Sequence, residues 1–227
     1  MLPSVQHTIN SFMKASAILP LLTAILTTHA IAADLDPTLG KKGKLLLDEK
    51  FSTAAVPAGW NKNTGKLSVT DGALHLSEVA AEKHAGAFRK ALPVQDVAIQ
   101  LDLRFEGATA FHLGFDPVPG QLKKKGHLYS LIITPESWQI TEHNDKADPN
   151  SKNVSRAKAA TKFEKGEWFT VLLETKGIDV VAHVAGKEPL RATAKDFYVK
   201  KPGLVLRVTG KDGQEVLVDN VKVWELN

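Results

Sequence analysis

From Val97 to Asp116 apolar and polar residues alternate with period two, and the alternation runs twice. Val97, Ile99, Leu101, Leu103 and Phe105 take one beat; Ala98, Gln100, Asp102, Arg104 and Glu106 take the other. After Gly107 the beat resumes as Phe111, Leu113 and Phe115 against His112, Gly114 and Asp116. Successive side chains of a strand point to opposite faces, so the pattern predicts a strand pair with one face in a core. The other face then carries Gln100, Asp102, Arg104, His112 and Asp116. On a curved sheet such a row of hydrogen-bonding groups suits a polyhydroxylated ligand; it equally describes a well-solvated strand pair.

The remainder also reads as short strands. Leu45 to Phe51 is the first. Leu67 to Thr70 and Ala73 to Ser77 form a hairpin about Asp71-Gly72, a pair that supplies the positive φ angles of a tight turn. Ala87 to Leu92 follows, closed by Pro93. His127 to Thr134 and Ser137 to Glu142 make a second hairpin around Pro135-Glu136. Glu167 to Thr175, Ile178 to Ala185, Gly203 to Thr209 and Glu215 to Trp224 complete the set, with Asp212-Gly213 as the last turn. Residues 144–166 read as a long polar loop with one helical turn near Arg156 to Ala160. Sustained helical periodicity is absent beyond the first 33 residues. The fold class expected is all-β, a single antiparallel sandwich of about eleven strands.

Those first 33 residues follow a different pattern. Lys14 precedes an apolar stretch from Ala15 to Leu26, and Thr27-Thr28-His29-Ala30-Ile31-Ala32-Ala33 follows. This is the order of a secretory signal peptide, cleaved near Ala32 or Ala33, with Met13 as an alternative start to Met1. It predicts export to the periplasm or the exterior. The stretch is too short to span a membrane, and no later segment reaches roughly 18 apolar residues. Residues 34–43 read as a flexible lead-in and 44–227 as one domain. The chain has no cysteine, so its stability rests on a core rather than on disulfides. Its net charge is +4. The basic residues are scattered except for Lys123-Lys124-Lys125, a solvated loop or a contact for an anionic polymer. A nucleic-acid partner is not expected, and a monomer is.

Several segments together carry a resemblance. They are "FSTAAVPAGW" (Phe51 to Trp60), "KLSVTDGALHL" (Lys66 to Leu76), "DVAIQLDLRFEG" (Asp96 to Gly107), "GHLYSLIIT" (Gly126 to Thr134), "GEWFTVLLE" (Gly166 to Glu174) and "VDNVKVWEL" (Val218 to Leu226). In this order they resemble a concanavalin A-like jelly roll and, within it, single-domain relatives of the 3-keto-disaccharide hydrolase family. The resemblance implies a carbohydrate partner. The chain departs from the hydrolase pattern at "AFHLGFD" and "GHLYSLI", where members carry an Asn-Ser-Gly-rich stretch and a Gly-Tyr-Glu type strand. It also lacks the Glu-x-Asp-x-x-Glu run that sets the roughly 5 Å carboxylate separation of a retaining laminarinase-type glucanase.

Sugars are held by aromatic faces and by planar polar groups. Trp138 and Gln139 at the second hairpin are therefore candidates, whereas Trp60, Trp168 and Trp224 read as packing residues. His127 and Tyr129 join the candidates if either shares a face with His112 and Asp116; the inward face of residues 127–134 is open, since Leu128 and Ile132 compete with Leu131 and Ile133. In a catalytic version His112 or His127 is the base and Asp116 orients it. The eight histidines lack zinc-site spacing, and no cofactor is expected, although Asp48 or Glu49 with Asp219 can be drawn as sharing a structural calcium. Three functions follow: a carbohydrate-binding domain, a glycoside-cleaving enzyme acting on 3-keto sugars, and a structural module of the envelope.

Overall fold

The computed structural model describes residues 34–227, and the signal-peptide reading of residues 1–33 lies outside them. Two antiparallel sheets face one another. The first runs β13 (Leu190–Thr193), β12 (Asp179–Val184), β11 (Trp168–Lys176), β6 (Val97–Glu106), β15 (Glu215–Leu226), β4 (Ala73–Ser77), β3 (Lys66–Thr70), with β1 (Lys42–Glu49) also paired to β15. The second runs β10 (Val154–Ala160), β9 (Ser137–Glu142), β8 (Tyr129–Thr134), β7 (Ala110–Phe115), β14 (Lys201–Thr209), β5 (Gly86–Val94), β2 (Trp60–Thr64). This is the expected all-β sandwich, with 15 strands rather than about eleven. Among the described residues no helix is long and apolar enough to cross a membrane.

The extra strands are β2, β10 and β13, and each lies at or next to a sheet edge. Residues 154–160 are not a helical turn. Val154–Ala160 pairs with β9 from Ser137 to Glu142, and pairing to a free strand edge overrides the helical propensity of its alanines, Arg156 and Lys158. The Asp71-Gly72 hairpin is as expected, with Thr70 opposite Ala73 and both turn residues at positive φ.

The doubled alternation does not form one strand pair. β6 lies in the middle of the eight-stranded sheet and β7 in the middle of the seven-stranded one. Gly107 turns the chain between them at φ +95°, a conformation open to glycine but strained for other residues. Ala108 then buries itself, and Thr109 N–H donates to the Thr209 carbonyl at 2.8 Å, seating the chain in the other layer. Both apolar beats meet in the shared core, where Leu101 and Phe105 join Phe111 and Leu113. The two polar beats consequently point away from each other, on opposite surfaces of the molecule.

The outer face of the eight-stranded sheet is covered. Residues 34–41 are tied across it as a strap rather than left free. Leu35 and Leu39 pack against Ala98, Leu172 and Leu226. Leu35 N–H donates to Oε1 of Gln100 at 3.0 Å. The fully buried Glu174 accepts from Thr38 N–H, the Thr38 hydroxyl, Leu39 N–H and Nε2 of His183, all within 2.9 Å. Burial works to raise the Glu174 carboxyl, but the bonds from His183, Leu39 and Thr38 outweigh it and hold the group below its usual range.

Replacing Glu174 with Ala strands these donors and should lower the unfolding free energy by about 3 kcal/mol in urea titration. Because the folded carboxyl is depressed, its contribution is complete above the unfolded value near 4.5 and is lost as pH falls below it. The acid-unfolding limb of wild type should therefore flatten in Glu174→Ala; an unchanged limb would refute the tie.

Candidate functional site

The open surface is the outer face of the seven-stranded sheet. Opposed residues of antiparallel strands share a face, so the register reads off its floor. One row runs Lys158, Gln139, Ile132, His112 and Arg207 from β10 to β14. The next runs Ser155, Thr141, Ser130, Gly114, Val205, Arg89 and Asn61 from β10 to β2. Period-two alternation produces this floor: Phe111, Leu113 and Phe115 enter the core and leave His112, Gly114 and Asp116 outside.

Asp116, one residue beyond β7, is gripped from both sides. Nη2 of Arg89 donates to Oδ2 at 2.8 Å, and Nδ1 of His127 donates to Oδ1. Arg89 also donates through Nη1 to Oδ1 of Asn63. A carboxylate only accepts, so His127 must carry a proton on Nδ1, and Nε2 is its remaining ring nitrogen. The His127 ring meets His143 edge to face at 5.4 Å, and Nε2 of His143 pairs with Oγ of Ser130 at 2.8 Å. Gly114 makes room for this pair, because a Cβ there would lie 2.2 Å from the Ser130 oxygen.

Two clefts open beside the grip. One, of about 480 Å³, lies under the loop from Asp116 to His127; the other, of about 330 Å³, lies between β2 and the start of β14. Arg89 and Asp116 line both. Burial would raise the Asp116 carboxyl, but His127 and Arg89 hold it below its usual range, so it is ionised. His112 is pushed down to about 3, by burial first and then by Arg207 and its histidine neighbours. His143 is pushed down to about 4, again by burial first and then by His127, Arg207 and Lys124. Both rings are neutral at ordinary pH.

The expected candidates separate accordingly. His112, Asp116, His127 and Gln139 gather at this surface, and Gln139 accepts from the Ser155 hydroxyl at 3.1 Å. Gln100, Asp102 and Arg104 do not, because β6 belongs to the other sheet. Gln100 serves the strap. Asp102 accepts from the Thr170 hydroxyl at 2.7 Å and from Nδ2 of Asn220 at 2.8 Å, fixing the register shift in β15. Arg104 lies 2.9 Å from Glu106 as an ion pair without hydrogen-bond geometry, and its guanidinium covers the Trp168 ring at 5.0 Å. Tyr129 and Trp138 are core residues: Tyr129 sits between Phe115 and Phe197, with centroids at 5.2 and 4.3 Å. Tyr129, Leu131 and Ile133 are the inward set of β8. The expected base His112 is too acidic, as its conjugate acid, to take a proton near neutrality. Asp48 and Glu49 lie in register with Lys222 and Val221, and among the described residues no group of three or more His, Asp or Glu side chains is placed to hold a metal ion.

Sequence reasoning missed Arg89, Arg207, His143, Ser130 and the Asn61–Asn63 segment. A signal existed for some of them. Arg207 interrupts the apolar run Leu204 to Val208, and His143 extends the outward beat of Gln139 and Thr141.

A histidine depressed in the fold makes the unfolded chain bind more protons, so stability falls as pH drops below about 6.5. In an NMR titration the His112 and His143 rings should stay neutral through pH 5.5. Midpoints near 6.5 for both would refute the burial argument.

No protein-family model matches the chain, and no curated protein matches it in sequence. Solved structures do match. The carbohydrate binding module CBM66 from Bacillus subtilis superposes with TM-score 0.59 at 13% identity, over 74% of this chain and 96% of that one. SCLam, a non-specific endo-beta-1,3(4)-glucanase of family GH16, gives 0.60 at 14% identity over 81% and 91%. A Bacillus subtilis protein of unknown function with a galectin-like fold gives 0.60 at 14% over 82% and 98%. At these identities the likeness is one of architecture, and the chain is a concanavalin A-like β-sandwich.

Proposed function

We propose that this protein binds carbohydrate on the outer face of the seven-stranded sheet, around Arg89, Asp116 and His127. One observation carries the reading: two clefts converge on the same arginine–carboxylate pair above a floor of neutral imidazoles, hydroxyls and amides. Vicinal sugar hydroxyls need donors and acceptors close together at fixed angles, and a guanidinium already held by a carboxylate supplies both without reorganising. On the opposite surface the strap covers Ala98, Gln100, Leu172 and Glu174. Solved β-sandwiches of the same fold include one titled a carbohydrate binding module and one titled a glucanase, which supports the reading. The apolar leader fits a protein exported to meet its ligand, and the domain is read as acting alone.

A glycan array probed with the purified protein should show binding that falls ten- to hundredfold in Asp116→Asn, the loss of charge-assisted hydrogen bonds worth about 1.5–3 kcal/mol. Arg104→Ala, on the other sheet, should bind as wild type. Equal effects of both substitutions would place the ligand elsewhere.

The His127–Asp116 pair favours a second reading, cleavage of a 3-keto glycoside. Nε2 of His127 would take the proton from the carbon beside the ketone, and the bond to the leaving glycosyl oxygen would break with its electron pair. Turnover that survives His127→Ala refutes this version and leaves binding untouched.

A further inference from the structure

We propose that the ligand of this face is an acidic oligosaccharide, whose carboxylates or sulfates are taken by Arg207 and by the lysines of the loop over the larger cleft. The inference rests on the glycan reading above and adds the charge of the ligand.

Arg207 is the unexplained cation of the site. It stands on β14 one outward step beyond Val205, which lines the smaller cleft, and it lies in register with His112. Nε of Arg207 and Nδ1 of His112 are both buried without a hydrogen-bond partner. Among the described residues no carboxylate pairs with Arg207, and the nearby acid, Asp116, is already shared between Arg89 and His127. A half-buried guanidinium that has no ion pair of its own, and only the field of an Asp116 already bonded to two other side chains, recovers little of its desolvation penalty. Its planar fork matches a carboxylate or a sulfate better than it matches a neutral hydroxyl.

The larger cleft repeats the imbalance. Its lining includes Arg89, Lys123, Lys124, Lys125 and His127 against one acid, Asp116. Lys124 is engaged: Nζ donates to the His143 carbonyl and lies 4.0 Å from Glu142. Lys123 and Lys125 are exposed. From His112, in register with Arg207, to Asp116 the strand advances four residues, about 13 Å at 3.3 Å per residue. A ligand that meets both cationic positions is therefore an oligomer rather than a single sugar.

The test pairs each charged polymer with its neutral counterpart: polygalacturonate with its carboxyl-reduced form, and chondroitin sulfate with its desulfated, carboxyl-reduced form, each titrated at two salt concentrations. The expected result is binding at least about tenfold tighter to one charged polymer than to its neutral partner. Arg207→Gln should abolish most of that preference, and the exposed double variant Lys123→Glu/Lys125→Glu should reduce it severalfold while melting like wild type. A preference for polygalacturonate assigns carboxylates, and one for chondroitin sulfate alone assigns sulfates. Equal binding of charged and neutral polymers overturns this inference and leaves the glycan reading standing. A preference that persists in Arg207→Gln and vanishes at high salt shows nonspecific polyanion attraction and also overturns it. Absence of binding to all four polymers and to the glycan array overturns both.

Discussion

The grip on Asp116 is the joint on which the open face depends. It connects three segments far apart in sequence: β5 through Arg89, the end of β7 through Asp116 itself, and the start of the β8 approach through His127. Without the carboxylate, Arg89 and Arg207 would face each other across a floor of neutral side chains with no negative charge between them, and the fold would bear an uncompensated, partly desolvated cation pair. With it, Arg89 is fixed to Asn63 on β2 as well, so the walls of both clefts are set by one network. Preorganisation of this kind lowers the entropic cost of holding a ligand.

The same chemical device appears on the opposite surface with the opposite result. There Glu174 is held by His183 much as Asp116 is held by His127. Its other acceptor positions are filled by the backbone of residues 38 and 39, so the carboxylate is sealed under the strap. At Asp116 the remaining space is cleft instead of polypeptide. A sandwich has two outer faces, and here a histidine-bound carboxylate closes one and furnishes the other. The strap also explains why Ala98, Gln100 and Leu172, all outward-pointing, are buried. Alternation assigns residues to a face, and burial is decided by what later lies across it.

That distinction marks how far the sequence could be read. Period-two alternation identified the inward residues of β6 and β7, and with them the all-β class, because a side chain's face depends only on its place along the strand. Which sheet a strand joins is a nonlocal matter. The turn at Gly107 sends β7 to the other layer, so Gln100, Asp102 and Arg104 parted from His112 and Asp116 although their patterns are continuous. Tyr129 and Trp138 were ambiguous for a related reason: aromatic rings with one polar atom serve cores and sugar platforms alike, and only register with Phe115 and Ile133 places them inside. Asp116 and His127 were legible as polar residues flanking a hairpin-like pair. Arg89 was not, since its partner lies 27 residues away and no local pattern joins them.

The protonation states fit the proposed recognition role of this face better than the catalytic alternative. Arg89 and Arg207 bring charge to this floor, while His112 and His143 remain neutral to well below physiological pH. Neutral imidazoles offer one donor and one acceptor each and cost less to dry than charged ones, which suits the proposed exchange of water for sugar hydroxyls. A proton-transfer site instead calls for a group poised near the working pH. On this face, His127 is the histidine among the described residues that a carboxylate holds through one ring nitrogen, so proton transfer here would pass through its other nitrogen. The proposed binding, by contrast, would draw on several groups at once, the Arg89 fork and the amides of Asn61 and Gln139 among them, without any of them changing its protonation.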